Sequence, residues 1–464
     1  MPTLRSIKVK KTCKSVHFIS LGCPKNLVDT EIMLGTLNRD GYKVVECAED
    51  ADNIIINTCG FIEEAKQESI DKILETAKLK KKGKLKKLIV AGCLTQRYKE
   101  KLVSELPEAD IFIGSGEFQN IDKILKSHQD GKKKTYFNLP TYLQEAKTPR
   151  INSQMRHRAY LKISDGCKKR CAFCAIPLIR GNLQSRTIEG ILSEAKLLIA
   201  GGVKELILIS HDFTDYGWDL RKENMRAKES PYELLRVLAD ESGAQWIRLL
   251  YLYPDGITPD LIELIKTRKN LVKYFDMPLQ HINNEILKKM NRRMSRSKIE
   301  SVLQNIRKEI PDAVIRTQFI VGYPGETEEQ FSELLEFIKE QKFDRVGCFK
   351  YSGEEGTKAG LMQDQLPDKV KEKRYNKIMS LQKKISRKKH QAYIGRTLPV
   401  IIEGYSEETK LLLSGRMSQQ APDIDGQVYI NEGVGNVGSF VNVKITHSHD
   451  YDLVGKIVPG SAGH

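Results

Sequence analysis

The 464 residues predict an α/β multidomain chain. Its parts are an N-terminal open α/β sheet domain over 1–145, a linker over 146–157, a central parallel (β/α) partial barrel with a terminal basic helix over 158–390, and a small antiparallel β-barrel over 391–464. Three observations carry this. At roughly 150 residues per domain, the length asks for about three domains. Apolar, β-rich runs alternate with amphipathic helical patterns as far as residue 370. From about residue 394 the runs shorten and are set off by Gly, Asn and Pro, as in a small barrel.

Composition excludes several classes. With 40% hydrophobic and 29% charged residues, the chain is neither collagen-like nor disordered throughout. No run approaches the ~20 apolar residues that span a bilayer. Met1 to Lys14 is charged and leads into no signal-type stretch, so a cytosolic protein without membrane contact is expected. Lys and Arg number 76 against 60 acidic residues, a net charge of +16 that points to polyanionic company such as RNA or ribosomes. Nine cysteines, odd in number and sparse, do not suit a disulfide scaffold. Their spacing has to decide what they do.

In the first domain the same unit occurs three times. His17 to Cys23, Asn53 to Cys59 and Lys87 to Cys93 are apolar strand-like runs ending in a small residue and a cysteine, each followed by a helical pattern. If the strands are parallel, their carboxyl ends share one edge of the sheet, where open α/β sheets place ligands. Cys23, Cys59 and Cys93 would converge there. A lone cysteine is more often a small buried residue, but three at equivalent strand ends, 36 and 34 residues apart, weigh against that. The Lys-rich run from Lys78 to Lys87 reads as a solvated helix end or loop. Cys13, Cys47 and Cys348 lack such neighbours, and Cys348, inside Val346–Phe349, is expected to be buried.

The central part carries six β-rich runs, at 160–164, 205–210, 246–251, 271–278, 314–321 and 345–351. Sites in parallel barrels gather at the carboxyl ends of strands. Here those ends hold His211-Asp212, Tyr253-Pro254, Gln280-His281, Gly322-Tyr-Pro-Gly-Glu326, Tyr351-Ser352 and a compact triplet, Cys167, Cys171 and Cys174, in Cys-x3-Cys-x2-Cys spacing. Zinc would normally recruit a fourth Cys or His nearby, and the nearest histidine is His211. Three soft thiolates suit a four-iron cube better, leaving one iron open to a substrate or cofactor. Gly322 to Thr327 reads first as a strand-to-helix turn capped by Glu326 or Thr327. Lys369 to Gln391 reads as a helix with one buried stripe, Ile378, Leu381 and Ile385, and a basic face. Strands are then expected at 398–402, 410–414, 426–430 and 440–445.

The compact triplet, with Phe173 before its last cysteine, resembles the radical S-adenosylmethionine (SAM) superfamily. The whole chain resembles the methylthiotransferases within it, the last segment being similar to a TRAM domain. The resemblance implies an enzyme that puts a methylthio group on an unactivated C–H bond, using one SAM as methyl donor and a second as radical source. It implies two 4Fe-4S clusters, an auxiliary one on Cys23, Cys59 and Cys93 and the radical SAM cluster on Cys167, Cys171 and Cys174. Strand-end position makes Phe173, His211, Gln280, Gly322, Pro324 and Gly325 the candidate SAM contacts. His211 and His281 are expected as hydrogen-bonded walls of the site, since radical chemistry needs no imidazole base.

Two branches compete within the family, one modifying tRNA and one an aspartate of a small-subunit ribosomal protein. Ser20-Leu-Gly-Cys-Pro-Lys-Asn-Leu-Val-Asp29 resembles the second, with Pro24-Lys25 where the tRNA branch typically has Gln-x after Gly-Cys. Asp165-Gly-Cys167, Ser210-His-Asp212, Tyr351-Ser352 with Glu354-Glu-Gly-Thr357, and Ala421-Pro-Asp-Ile-Asp-Gly426 resemble it too. Charge gives an independent test. From His390 to His464 there are five basic and eight acidic residues, a net of −3 against +19 for the rest. An RNA-binding barrel should gather cations, so a basic protein partner fits better. The basic remainder is expected either to touch rRNA or to be solvated. A reductant of flavodoxin or ferredoxin type is implied, and both clusters should face one cavity. A non-catalytic ribosome-associated iron–sulfur protein is the alternative of a different class.

Overall fold

The computed structural model describes residues 14–128, 133–138, 140–141, 143–222, 228–407 and 409–459; Cys13 lies outside them. The chain forms two compact units. One comprises 1–142, 147–151 and 178–180, and the other 143–146, 152–177 and 181–464. The expected linker at 146–157 is therefore shared between the two. Residues 147–151 pack on the first unit, where Arg150 donates to Glu31 at 2.7 Å. Gln144 belongs to the second and donates to Glu194 at 2.8 Å.

The first unit is a six-stranded sheet of β1 (Ser15–Ser20), β2 (Lys43–Val44), β3 (Asn53–Thr58), β4 (Lys87–Gly92), β5 (Ile111–Ile113) and β6 (Lys134–Tyr136). Its order is β2-β1-β3-β4-β5-β6, and every pairing is parallel. Ile54, Ile56, Leu88, Val90 and Phe112 build its core with Ile73 and Leu102 of the covering helices. The chain leaves β1 toward one side for β2 and toward the other for β3, so the order reverses between β1 and β3, the crevice position favoured by ligands. Helices α1 (Pro24–Arg39), α2 (Glu63–Lys81) and α3 (Cys93–Glu105) follow β1, β3 and β4. Pro24 presets the first turn of α1. The Lys-rich run closes α2 and continues as loop, as expected of a solvated helix end, although Lys80 pairs with Asp110 at 2.6 Å.

In the second unit six parallel strands form the partial barrel. They are β7 (Arg158–Lys162), β10 (Glu205–Ile209), β11 (Trp246–Leu249), β12 (Tyr274–Gln280), β13 (Val314–Val321) and β14 (Arg345–Lys350), with the antiparallel pair β8 (Ser164–Asp165) and β9 (Gln184–Ser185) beside them. Sheets β11-β10-β7 and β12-β13-β14 are joined by one parallel bridge, Ile247 to Leu271. Helices at 188–200, 231–241, 259–267, 296–309, 328–341 and 368–391 cover it, burying Leu206, Leu208, Phe275, Phe319 and Phe337.

The terminal strands β15 (Thr397–Tyr405), β16 (Leu413–Met417), β17 (Val428–Glu432), β18 (Phe440–Ser448) and β19 (Leu453–Ile457) close as β15-β16-β17-β19-β18. All neighbours are antiparallel except β17 and β19. The fifth strand escaped the sequence reading because Leu453-Val-Gly-Lys-Ile457 is short and broken by glycine.

The terminal barrel docks on the amino ends of the partial-barrel strands through buried charges. Fully buried Glu205 receives Arg248 at 2.8 Å and Arg416 from β16. Arg416 also reaches Glu403 at 3.0 Å, and Tyr274 donates to Asp425 at 2.7 Å. Burial opposes ionisation of Glu205, but the Arg416 and Arg248 guanidiniums outweigh it and hold the carboxyl below its ordinary value.

Candidate functional site

Cys23, Cys59 and Cys93 stand at the carboxyl ends of β1, β3 and β4, three neighbours in the sheet. The three thiols lie near enough to act on one another's charge. Gly22 has φ +87°, and a Cβ there would lie 2.8 Å from Cys59 Cβ and 3.0 Å from its Sγ, so only glycine lets the β1 end close on Cys59. Gly60 packs against the Cys93–Leu94 backbone. Ser69 of α2 ties the Cys59 backbone from both sides, accepting from its N–H and donating to its carbonyl, each at 3.1 Å.

Arg180 belongs to this unit and was missed in the sequence. It is buried and donates to Cys93 Sγ at 3.3 Å, to Asn26 Oδ1 at 2.6 Å and to Asp29 at 2.7 Å. Asn26 in turn donates to the Leu21 and Thr58 carbonyls, fixing the loops that carry Cys23 and Cys59. Burial pushes the Cys93 thiol up to about 12, with Arg180 opposing the rise and Cys23 and Cys59 adding to it. The mutual effect of the three thiols is the electrostatic sign of their convergence. The only signal for Arg180 was its place six residues after Cys174, which says nothing about Cys93.

The compact triplet lies on the loop after β8. Arg170 donates to the Cys167 carbonyl at 2.7 Å, and the Ala172 N–H donates to the Met290 carbonyl at 2.9 Å. Burial pushes Cys167 and Cys174 up to about 12. Arg292, also missed, approaches Cys171 Sγ at 3.9 Å while donating to the Pro278 carbonyl at 2.7 Å. The Tyr253 ring has Lys169 at 4.1 Å and Arg292 at 4.5 Å from its centroid. Lys169 pairs with Asp212 at 3.5 Å and Asp215 at 3.2 Å; burial and Asp215 push the Asp212 carboxyl up.

The other expected residues fall around this loop. Phe173 packs on Ala172, Ile286, Met290, Tyr323 and Tyr351, which joins it to the Gly322–Gly325 turn. Pro324 is buried. Gln280 ends β12 with φ +72°, and His211 follows β10, half-buried. Gly322 and Gly325 have positive φ, and their Cβ positions are taken by Lys371 and by Asp364 and Lys289, so protein packing already demands glycine at both. Glu326 accepts from the Tyr323 N–H at 3.0 Å and from Gly322, while Thr327 caps the next helix. His281 is fully buried, with Nε2 3.8 Å from Glu326. Cys348 is buried as expected and Cys47 exposed.

Among the described residues, no three Cys, His, Asp or Glu side chains could hold a single metal ion. Zinc, with thiolates about 2.3 Å from one ion, therefore gains no support. A four-iron cube puts each thiolate on a different iron and sets the sulfurs wider apart. Three thiols in each group, Cys93 buried and the other five part-buried, with a guanidinium at hand to offset thiolate charge, fit such a cluster, and loading it would release their protons.

Residues 15–114 match the family described as uncharacterized protein family UPF0004, 161–338 the radical SAM superfamily and 394–458 the TRAM domain. The chain is 65% identical over 446 residues to the ribosomal protein uS12 methylthiotransferase RimO of Bdellovibrio bacteriovorus, spanning 96% of this chain and 98% of that one. Identity to the protein of that name from Geobacter sulfurreducens is 50%, over 96% and 99%. Among solved structures, the radical SAM methyltransferase TsrM from Kitasatospora setae aligns with a TM-score of 0.54 and 13% identity over 72% of this chain and 73% of that one, a likeness of fold. No helix among the described residues is long and apolar enough to cross a membrane. By domain order, thiol placement and identity along nearly its full length, this chain belongs to the RimO family, the radical SAM methylthiotransferases of ribosomal protein uS12.

Proposed function

We propose that the enzyme inserts a methylthio group at the β-carbon of an aspartate in uS12, in the cytosol, with Cys23, Cys59 and Cys93 holding an auxiliary 4Fe-4S cluster and Cys167, Cys171 and Cys174 a second one. The observation that carries this reading is the trio of thiols at adjacent strand ends beside the switch point of the first sheet, separate in sequence from the compact trio. When bound, the clusters and SAM supply the radical that removes a β-hydrogen and the methylthio group that replaces it. An unactivated C–H bond offers a side-chain base no acidic proton, so the protein's own task is to bind, orient and balance charge.

In this reading Arg180 offsets thiolate charge beside Cys93, and Asn26 locks the loops around it. Arg292 does the same beside Cys171 while its tie to Pro278 keeps it in place. Phe173, His211, Gln280, Gly322, Pro324 and Gly325 line the SAM side of the compact loop. Residues 1–145, 158–390 and 391–464 act as the auxiliary-cluster, radical SAM and substrate-facing domains. The electron comes from a flavodoxin- or ferredoxin-type protein, and rRNA contact, where it occurs, falls on the basic remainder rather than on the net-negative barrel.

Incubating the anaerobically reconstituted enzyme with dithionite, SAM and either small ribosomal subunits or bulk tRNA tests the substrate. Intact-mass analysis should find the methylthio increment on uS12, on aspartate. Its appearance on a tRNA adenosine instead would overturn the reading.

A further inference from the structure

We propose that Lys168, Trp218 and Lys222 form the docking surface for an acidic one-electron carrier protein. The inference rests on the reading that Cys167, Cys171 and Cys174 hold a redox cluster. Lys168 follows Cys167 directly in the compact loop. Its ammonium lies 4.7 Å from the centre of the Trp218 ring, and that of Lys222 lies 5.3 Å from the same centre. Trp218 is 39% exposed, whereas Trp246, the other tryptophan, is buried. An apolar plate with two ammoniums over it thus opens to solvent, joined to the thiol loop through Lys168, with Arg170 exposed on the same loop.

The surface is built rather than incidental. Lys168 is held by Asp215 at 3.0 Å. The start of the Trp218–Lys222 helix is tied to β9 twice: the Gly217 N–H donates to Ser185 Oγ at 2.9 Å, and the Ser185 N–H donates to Asp219 at 2.8 Å. Cations side by side repel a basic ribosomal protein, so uS12 itself is the wrong occupant. An acidic partner is attracted, and an aromatic centre with a charged rim suits the small, fast-dissociating interfaces of electron transfer. Position favours the carrier: each radical event consumes one electron, and this charged face reaches the thiol loop through Lys168, which follows Cys167 directly. In the step served, the carrier is oxidised by one electron and the cluster on the compact triplet is reduced by one. No bond forms between the proteins.

The test compares wild type with Trp218→Ala and Lys222→Glu in the full reconstituted chain, using a bacterial flavodoxin as the probe. Surface plasmon resonance at low salt should show binding that weakens as salt rises through about 0.3 M, and each variant should bind at least roughly fivefold more weakly. Formation of 5′-deoxyadenosine driven by reduced flavodoxin should fall in step, while formation driven by dithionite stays at the wild-type level. Flavodoxin binding by both variants at wild-type strength would overturn the proposal. So would variants that keep flavodoxin binding and lose only methylthiolation of intact small subunits under dithionite, which would mark the patch as an RNA contact. A wild-type protein that makes no 5′-deoxyadenosine even with dithionite would instead count against the function reading, and the binding titration would still decide the docking.

Discussion

Cys171→Ala is expected to abolish 5′-deoxyadenosine formation, while Cys93→Ala should still form it and yield no methylthiolated uS12. The two trios lie on different scaffolds, one on the loop after β8 and the other at the ends of β1, β3 and β4. Loss of one cluster should therefore leave the other assembled. The measurement is chromatographic quantification of 5′-deoxyadenosine beside intact-mass analysis of uS12 from one reaction. Cys93 is the informative member of its trio, since it is the most buried and accepts the Arg180 hydrogen bond. Methylthiolated product from the Cys93 variant would remove the auxiliary cluster from the account.

The largest effect on stability is expected at Arg416→Met. Removing that guanidinium takes away the cation Glu205 and Glu403 share, leaving Arg248 beside the first and His157 and Arg158 beside the second, and breaking a buried pair by taking one partner costs about 3–5 kcal/mol. Trp246 reports on this junction, since its ring packs edge-on against Phe440 of the terminal barrel at 4.8 Å. Guanidinium unfolding followed by Trp246 fluorescence, in a Trp218→Phe background, should show the loss. The difference should also depend on pH. Burial raises the Glu403 carboxyl, but His157, Arg416 and Arg158 overcome it and hold it down at about 2, against 4.5 for a free glutamate. Its stabilising contribution is complete above pH 4.5 and fades as pH falls toward 2. The gap between wild type and variant should narrow over that window; a gap independent of pH would locate the loss in packing alone.

What could be read in the sequence followed from local pattern. Each of the six central runs became a parallel strand within a few residues, because an apolar run closed by Gly or a polar pair marks a buried parallel strand whatever surrounds it. Cys23, Cys59 and Cys93 were legible for the same reason: a strand end is a local feature, and parallel strands share one edge. Arg180 and Arg292 were not, because a cation is ordinary in composition and gains meaning only when the chain returns it to a thiol. Glu205 and Arg416 meet across 211 residues of sequence, a separation at which no periodicity carries information. The parallel pairing of β17 with β19 was invisible likewise, since strand direction in a small barrel is set by connection and closure rather than by residue pattern.

Two separate iron–sulfur clusters per chain are the central claim, and counting them is its most direct test. Iron and sulfide analysis with Mössbauer spectroscopy on anaerobically reconstituted protein should find about eight irons per chain, as two four-iron cubes. Replacing Cys23, Cys59 and Cys93 together by Ala should leave about four irons, as should replacing Cys167, Cys171 and Cys174. A wild-type content of only four irons, or a triple variant that keeps the full complement, would contradict the account.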